Sequence, residues 1–120
     1  MDFEKLRLAL TIGLLIGVPL GSYVALVSHR HQPVKGGLGA HIFHAAASII
    51  LCTALPGVLV EVFSGAGFLN AVAFGFGAVI LAFLTLCGYA LFERPALAQQ
   101  AAADAEDRGW TAEKAKSSGL

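Results

Sequence analysis

Residues 36–92 read GGLGAHIFHAAASIILCTALPGVLVEVFSGAGFLNAVAFGFGAVILAFLTLCGYALF, and Glu61 is the single formal charge in that stretch. A soluble fold needs a polar face on each of its elements, and this stretch supplies none. Insertion into a lipid bilayer is the reading that survives. Upstream, Leu8 to Ser28 is a second uncharged run, so the charges gather at Asp2 to Arg7, at Arg30 and Lys35, and from Glu93 to Lys116. Of the 120 residues, 57% are hydrophobic and 13% charged, against roughly 25% charged in a soluble domain. The expected fold class is therefore all-α integral membrane.

Three spans follow from run lengths. Leu8 to Ser28, at about 1.5 Å per residue, reaches roughly 32 Å, enough for a hydrocarbon core of about 30 Å. The second span is expected over 41–60, with Glu61 marking its far end. The third is expected over 68–92, stopped by Glu93, Arg94 and Pro95. Ser64-Gly65-Ala66-Gly67 carries the turn chemistry between them. Pro19 and Pro56 fall inside spans, where neighbouring helices can satisfy the freed carbonyls. Lys5 and Arg7 ahead of Leu8 to Leu20 have the outline of a secretory leader. The uncharged run continues to Ser28, past a usual signal core, and is read as a retained span.

Residues 1–92 thus form a transmembrane domain and 93–120 a polar, alanine-rich tail. Pro95 suits a first helical position and Gly109 a helix C-terminus, which predicts a short extramembrane helix from Ala96 to Arg108. Trp110 and the segment after it are candidates for docking on a partner. Orientation follows from basic residues. With the N-terminus outside, Arg30, Lys35, Arg94 and Arg108 all lie inside, whereas the opposite orientation leaves only Lys5 and Arg7 there. The positive-inside rule favours N-out and C-in, in a bacterial cytoplasmic membrane.

Gly13, Gly17, Gly21 and Ala25 recur every four residues and share one helix face, a groove that lets another helix approach closely. Ala71, Gly75, Ala78 and Ala82 form a similar stripe on the third span. Each stripe has two possible addressees, a partner protein or another span of this chain. Two such faces exceed what a three-helix bundle obviously requires, which points to other integral membrane subunits as partners.

His29 and His31 end the first span while His41 and His44 open the second, so a hairpin gathers all four on one side of the membrane. Imidazole ligates zinc, copper and haem iron, which makes the four a candidate metal set and His41 and His44 candidate cofactor ligands. The cofactor would be haem b or a chlorophyll-type pigment, with a quinone or pigment nearby. Ala40 and His44 have the small-x-x-x-His spacing of (bacterio)chlorophyll-binding helices. The plain reading is that interfacial histidines hydrogen-bond locally, and it gives no cofactor. Ser48 and Cys52 continue the face of His41 and His44 inward. Cys52 and Cys87, at different expected depths and without CxxC spacing, read as small packing residues.

Glu61 beside the Gly-rich connector is expected at the membrane boundary. No Ser/His/Asp grouping, phosphate loop or paired carboxylate is present, and a net charge of zero gives no basic stripe for nucleic acid. The chain is expected not to be an enzyme. In architecture alone it resembles the membrane-anchor subunits of succinate dehydrogenase and fumarate reductase, which can carry a haem histidine on a middle helix. None of the local signatures of those subunits is evident. The expected function is a non-catalytic subunit that stabilises a larger complex, possible settings being respiratory or photosynthetic electron transfer. The alternatives are a pigment- or haem-binding subunit and a small oligomeric channel or transporter.

Overall fold

A computed structural model describes residues 2–117, with side chains over residues 2–106. The described chain is all helical: α1 Phe3–His31, α2 Gly37–Phe63 and α3 Phe68–Ser117. All three are long and apolar enough to cross a membrane.

α1 starts where Asp2 caps it, the carboxylate accepting from the backbone N–H groups of Glu4 and Lys5 at 3.0 and 3.4 Å. His29, Arg30 and His31 occupy its last turn, where positive charge suits the carbonyl end of the helix dipole. α2 ends in a Schellman turn. Gly65, at φ +75°, takes the left-handed position. The N–H of Ala66 then donates to the Glu61 carbonyl at 3.1 Å and that of Gly65 to Val62 at 3.2 Å. From the start of α1, Lys5 reaches this connector and donates to the Gly65 carbonyl at 3.2 Å. One end of the molecule is thereby tied together.

The helices form a layer with α2 in the middle. α1 and α3 each pack along α2 and not on each other. This arrangement settles the addressee of both small-residue stripes. Ala9, Gly13, Gly17, Gly21 and Ala25 are the buried residues of α1, and they lie against α2. A Cβ at Gly17 would fall on the Thr53 side chain and 2.9 Å from the Thr53 Cα, and one at Gly21 would come 2.7 Å from the Ile49 nitrogen. On α3, Ala71 and Ala82 are 2% exposed and Gly75 faces Val58, while Ala78 borders a groove between α1 and α3. The central helix thus receives the α1 stripe on one flank and most of the α3 stripe on the other.

The α2–α3 seam is built from rings over glycines. Phe74 fills the space beside Gly57, and Phe43 the space beside Gly88. Phe92 lies 5.7 Å from Phe43 in a stacked pair. The helices extend past the expected spans, and α3 does not stop at Glu93–Pro95. It continues without a break, so the short tail helix is not a separate element. Gly109 lies within α3 instead of ending a helix, and the Trp110 side chain lies outside the described residues.

Candidate functional sites

Two places in this layer hold polar side chains inside an apolar setting. The first is the end formed by the α1–α2 connector. α2 starts at Gly36 and Gly37 with no capping side chain of its own, which leaves backbone donors open at its N-terminus. Glu93, 5% exposed, supplies the acceptor from α3. Its two carboxylate oxygens each accept from the Lys35 N–H at 2.9 Å, and one also accepts from the Gly36 N–H at 2.7 Å. An anion at a helix N-terminus is favoured by the dipole as well as by the hydrogen bonds. Sequence reasoning took Glu93 as a solvated stop. The available signal was the missing cap at Gly36 and Gly37, which requires an acceptor from elsewhere.

Beside this clamp, His29, His41 and His44 come together. The rings of His29 and His41 meet edge-on with centroids 4.8 Å apart. The Val34 N–H donates to His29 Nδ1 at 3.0 Å, which fixes the neutral ring as its Nε2–H tautomer. His44 Nε2 lies 3.4 Å from Ser28 Oγ and its ring packs 5.5 Å from that of Tyr89. His31 is exposed and outside these contacts. The set of four considered for a metal does not converge. Among the described residues, no three histidine, cysteine, aspartate or glutamate side chains are placed to hold an ion. His29 has one nitrogen committed to Val34, and His31 is exposed.

The cavity at these histidines measures about 250 Å³, lined by Ser22, Ala25, Leu26, His29, His41, His44 and Ala45. It is smaller than the roughly 300–1,000 Å³ usual for ligand clefts. His41 and His44 also share one helix, whereas two axial ligands approach a haem from opposite faces. The contacts around His29 and His44 are local hydrogen bonds and ring packing. Cys52, half-buried on α2, and Cys87, exposed on α3, are free thiols.

The second place is a groove of about 340 Å³ between α1 and α3, with α2 as its floor. Leu6, Leu10 and Leu14 form the α1 wall, while Asn70, Ala73, Phe74, Gly77, Ala78 and Leu81 form the α3 wall. The floor carries Ile50, Thr53 and Glu61. Glu61 lies two positions from the end of α2, and within the fold it is 2% exposed, sharing its groove with Leu6 and Leu10 of α1 and Asn70 of α3. Its carboxyl has no hydrogen bond or ion pair among the described residues, because only its backbone carbonyl is engaged, by Ser64 and Ala66. Asn70, which sequence reasoning passed over, donates from Nδ2 to the Ala66 carbonyl at 2.6 Å, leaving Oδ1 as a further acceptor. Thr53 donates to the Ile49 carbonyl at 2.7 Å. Left over in this groove are the Glu61 carboxyl and Asn70 Oδ1 as acceptors and the second N–H of Asn70 Nδ2 as a donor.

Comparison with protein-family models, with curated protein sequences and with solved structures finds no match to this chain.

Proposed function

We propose that this protein is a non-catalytic subunit of a larger integral-membrane complex, with respiratory and photosynthetic electron-transfer assemblies as the settings to examine first. The observation that carries the reading is the open layer. Three spans lie side by side, only α2 is sheltered on both flanks, and the groove beside it holds the acceptor groups of Glu61 and Asn70. In hydrocarbon an unpaired polar group is costly, and a carboxyl inside a span is a functional group by default. A donor from another subunit would complete the layer. Small-residue seams within the chain hold its own helices together, so a partner would meet the other faces. α3 exposes the most, with 11% of its apolar window buried against 22% for α1 and α2.

Among the described residues the Ser28–His44 contact has no carboxylate hydrogen-bonded to the histidine to orient it, and the role is assigned to assembly and not to chemistry. The orientation that goes with it is N-out and C-in, from the basic residues flanking the spans. The polar extension of α3 past Glu93 would then add contacts at the cytoplasmic surface. Extraction in mild detergent followed by native electrophoresis is the test. The chain should run with unrelated subunits in a complex far larger than its own 12.4 kDa. Recovery as a monomer or homo-oligomer, where other membrane complexes stay intact, would sink the proposal. In the same cells an Ala101→Cys variant should resist an impermeant thiol reagent added outside; ready labelling there reverses the orientation.

A further inference from the structure

The groove between α1 and α3 is more specific than the open layer around it. Its floor presents Glu61, a residue 2% exposed whose carboxyl makes no hydrogen bond or ion pair among the described residues; no fully buried side-chain oxygen there lacks a partner, so the carboxyl opens on the groove. Its α3 wall presents Asn70, with Oδ1 unengaged. The same wall is notched at Ala73 and Gly77, both exposed and one helical turn apart. Gly77 differs from the glycines of the seams: a Cβ built on it meets no atom within 4 Å. The floor from Ile50 to Glu61 runs along α2 for roughly 16 Å, about three helical turns.

We infer that this groove takes a transmembrane helix of a different subunit, and that the helix presents a hydrogen-bond donor side chain to Glu61. The inference deepens the assembly reading and rests on it. Three observations select the occupant. The Glu61 carboxyl and Asn70 Oδ1 accept while Asn70 keeps one N–H, so a visitor that brings an N–H or O–H group (an amide, a hydroxyl, an indole or a cation) is the one that serves Glu61. An acyl chain fills volume but offers no such group. Ala73 and Gly77 strip side chains from one wall, which serves the close approach of a second backbone; a flexible acyl chain needs no such notch. A second copy of this chain related by a two-fold axis would set concave groove against concave groove and leave both unfilled.

The test uses the full chain in its native membrane. A photoreactive amino acid placed at Ala73 should give adducts that map to a membrane-spanning segment of another subunit of the same complex. A donor residue should lie within one turn of the cross-linked position. The same probe at Phe83, exposed on α3 and outside the groove, should not give that adduct. Gly77→Leu should reduce both the adduct and recovery of the partner at least tenfold while the chain itself accumulates normally, since position 77 borders open space. Glu61→Leu should reduce partner recovery as well, and Glu61→Gln, which keeps an acceptor, should restore part of it. Adducts with lipid alone, adducts with a second copy of this chain, or partner recovery indifferent to Gly77→Leu would each overturn the inference while leaving the assembly reading in place. A wild-type chain that migrates alone overturns both.

Discussion

Gly17 and Gly77 are the same residue in the same kind of helix, and they do opposite things. Gly17 sits in the α1–α2 seam, where its missing side chain is the space that Thr53 occupies. Gly77 sits on the wall of the α1–α3 groove, where the space is empty. One marks a contact already made within the chain, the other a surface still open. In hydrocarbon no water drives helices together, so close packing and hydrogen bonds carry their association. A seam that is filled and a groove that is vacant therefore have different energetic meaning although the residues defining them look alike. The same contrast holds for the carboxyls of Glu93 and Glu61. Glu93 accepts from the backbone of Lys35 and Gly36, whereas Glu61 has no partner among the described residues.

The largest effect should come from filling the seam. Gly17→Leu places a bulky side chain where even a Cβ would lie 2.9 Å from the Thr53 Cα. Backbone cannot step aside as a side chain can, so the helices must separate. Overpacking of this kind costs typically 1–3 kcal/mol, and the backbone contact here sets about 3 kcal/mol as the expected loss. Unfolding of the purified chain in a denaturing-detergent titration measures it. A variant as stable as the wild type would show that α1 does not lie on α2 through this face.

Next comes the clamp. Glu93→Ala removes the acceptor for the Lys35 and Gly36 N–H groups and leaves the start of α2 without a cap. Hydrogen bonds to a charged group contribute about 1.5–3 kcal/mol each, and because solvent at the exposed connector replaces part of what is lost, the expected cost is about 2 kcal/mol. Glu93→Gln keeps one acceptor oxygen and should lose roughly half as much. Hydrogen exchange at Lys35 and Gly36 reports the site directly: protection should fall in the alanine variant and persist in part in the glutamine one. Equal stability of all three proteins would remove Glu93 as the cap of α2.

The spans were legible because charge is excluded from them so completely that only Glu61 interrupts 36–92. Their ends were not. Glu93 read as a solvated stop because the backbone donors it binds belong to a connector 57 and 58 positions away, and backbone groups leave no letter in a sequence. Spacing of four among Gly13, Gly17 and Gly21 announced a close approach without naming the approaching helix. That depends on α2 lying between the other two, which no local pattern encodes. Glu61 read as a boundary marker, and it does lie two residues from the end of α2; its place in a groove shared with Leu6 and Leu10 could not be read locally, because those residues come from α1. For the histidines, the hairpin reading grouped all four; the structure brings His29 and His41 into contact with His44 beside them and leaves His31 outside, and proximity alone said nothing of the hydrogen bond from Val34 to His29.

The smallest effect is also the sharpest form of the comparison, because one substitution should change sign between the two sites. Gly77→Ala adds a methyl group in open space, so no neighbour has to move. It also replaces the residue that loses most backbone freedom on becoming helical, a gain of roughly 0.5–1 kcal/mol in helix interiors. A hydrocarbon setting already enforces helical backbone through its hydrogen-bond demand, which places the expected gain near the lower figure. Gly17→Ala receives the same propensity benefit and loses it to the contact with Thr53, so it should destabilise. Measured side by side in one detergent titration, Gly77→Ala should unfold slightly later than the wild type and Gly17→Ala earlier. Recovery of the partner subunit gives a second axis. A methyl at position 77 narrows the groove, so Gly77→Ala should weaken partner retention even as it stabilises the isolated chain. If Gly77→Ala destabilised the isolated chain, the groove would be closed by the chain's own helices, and the distinction between filled seam and open surface would collapse.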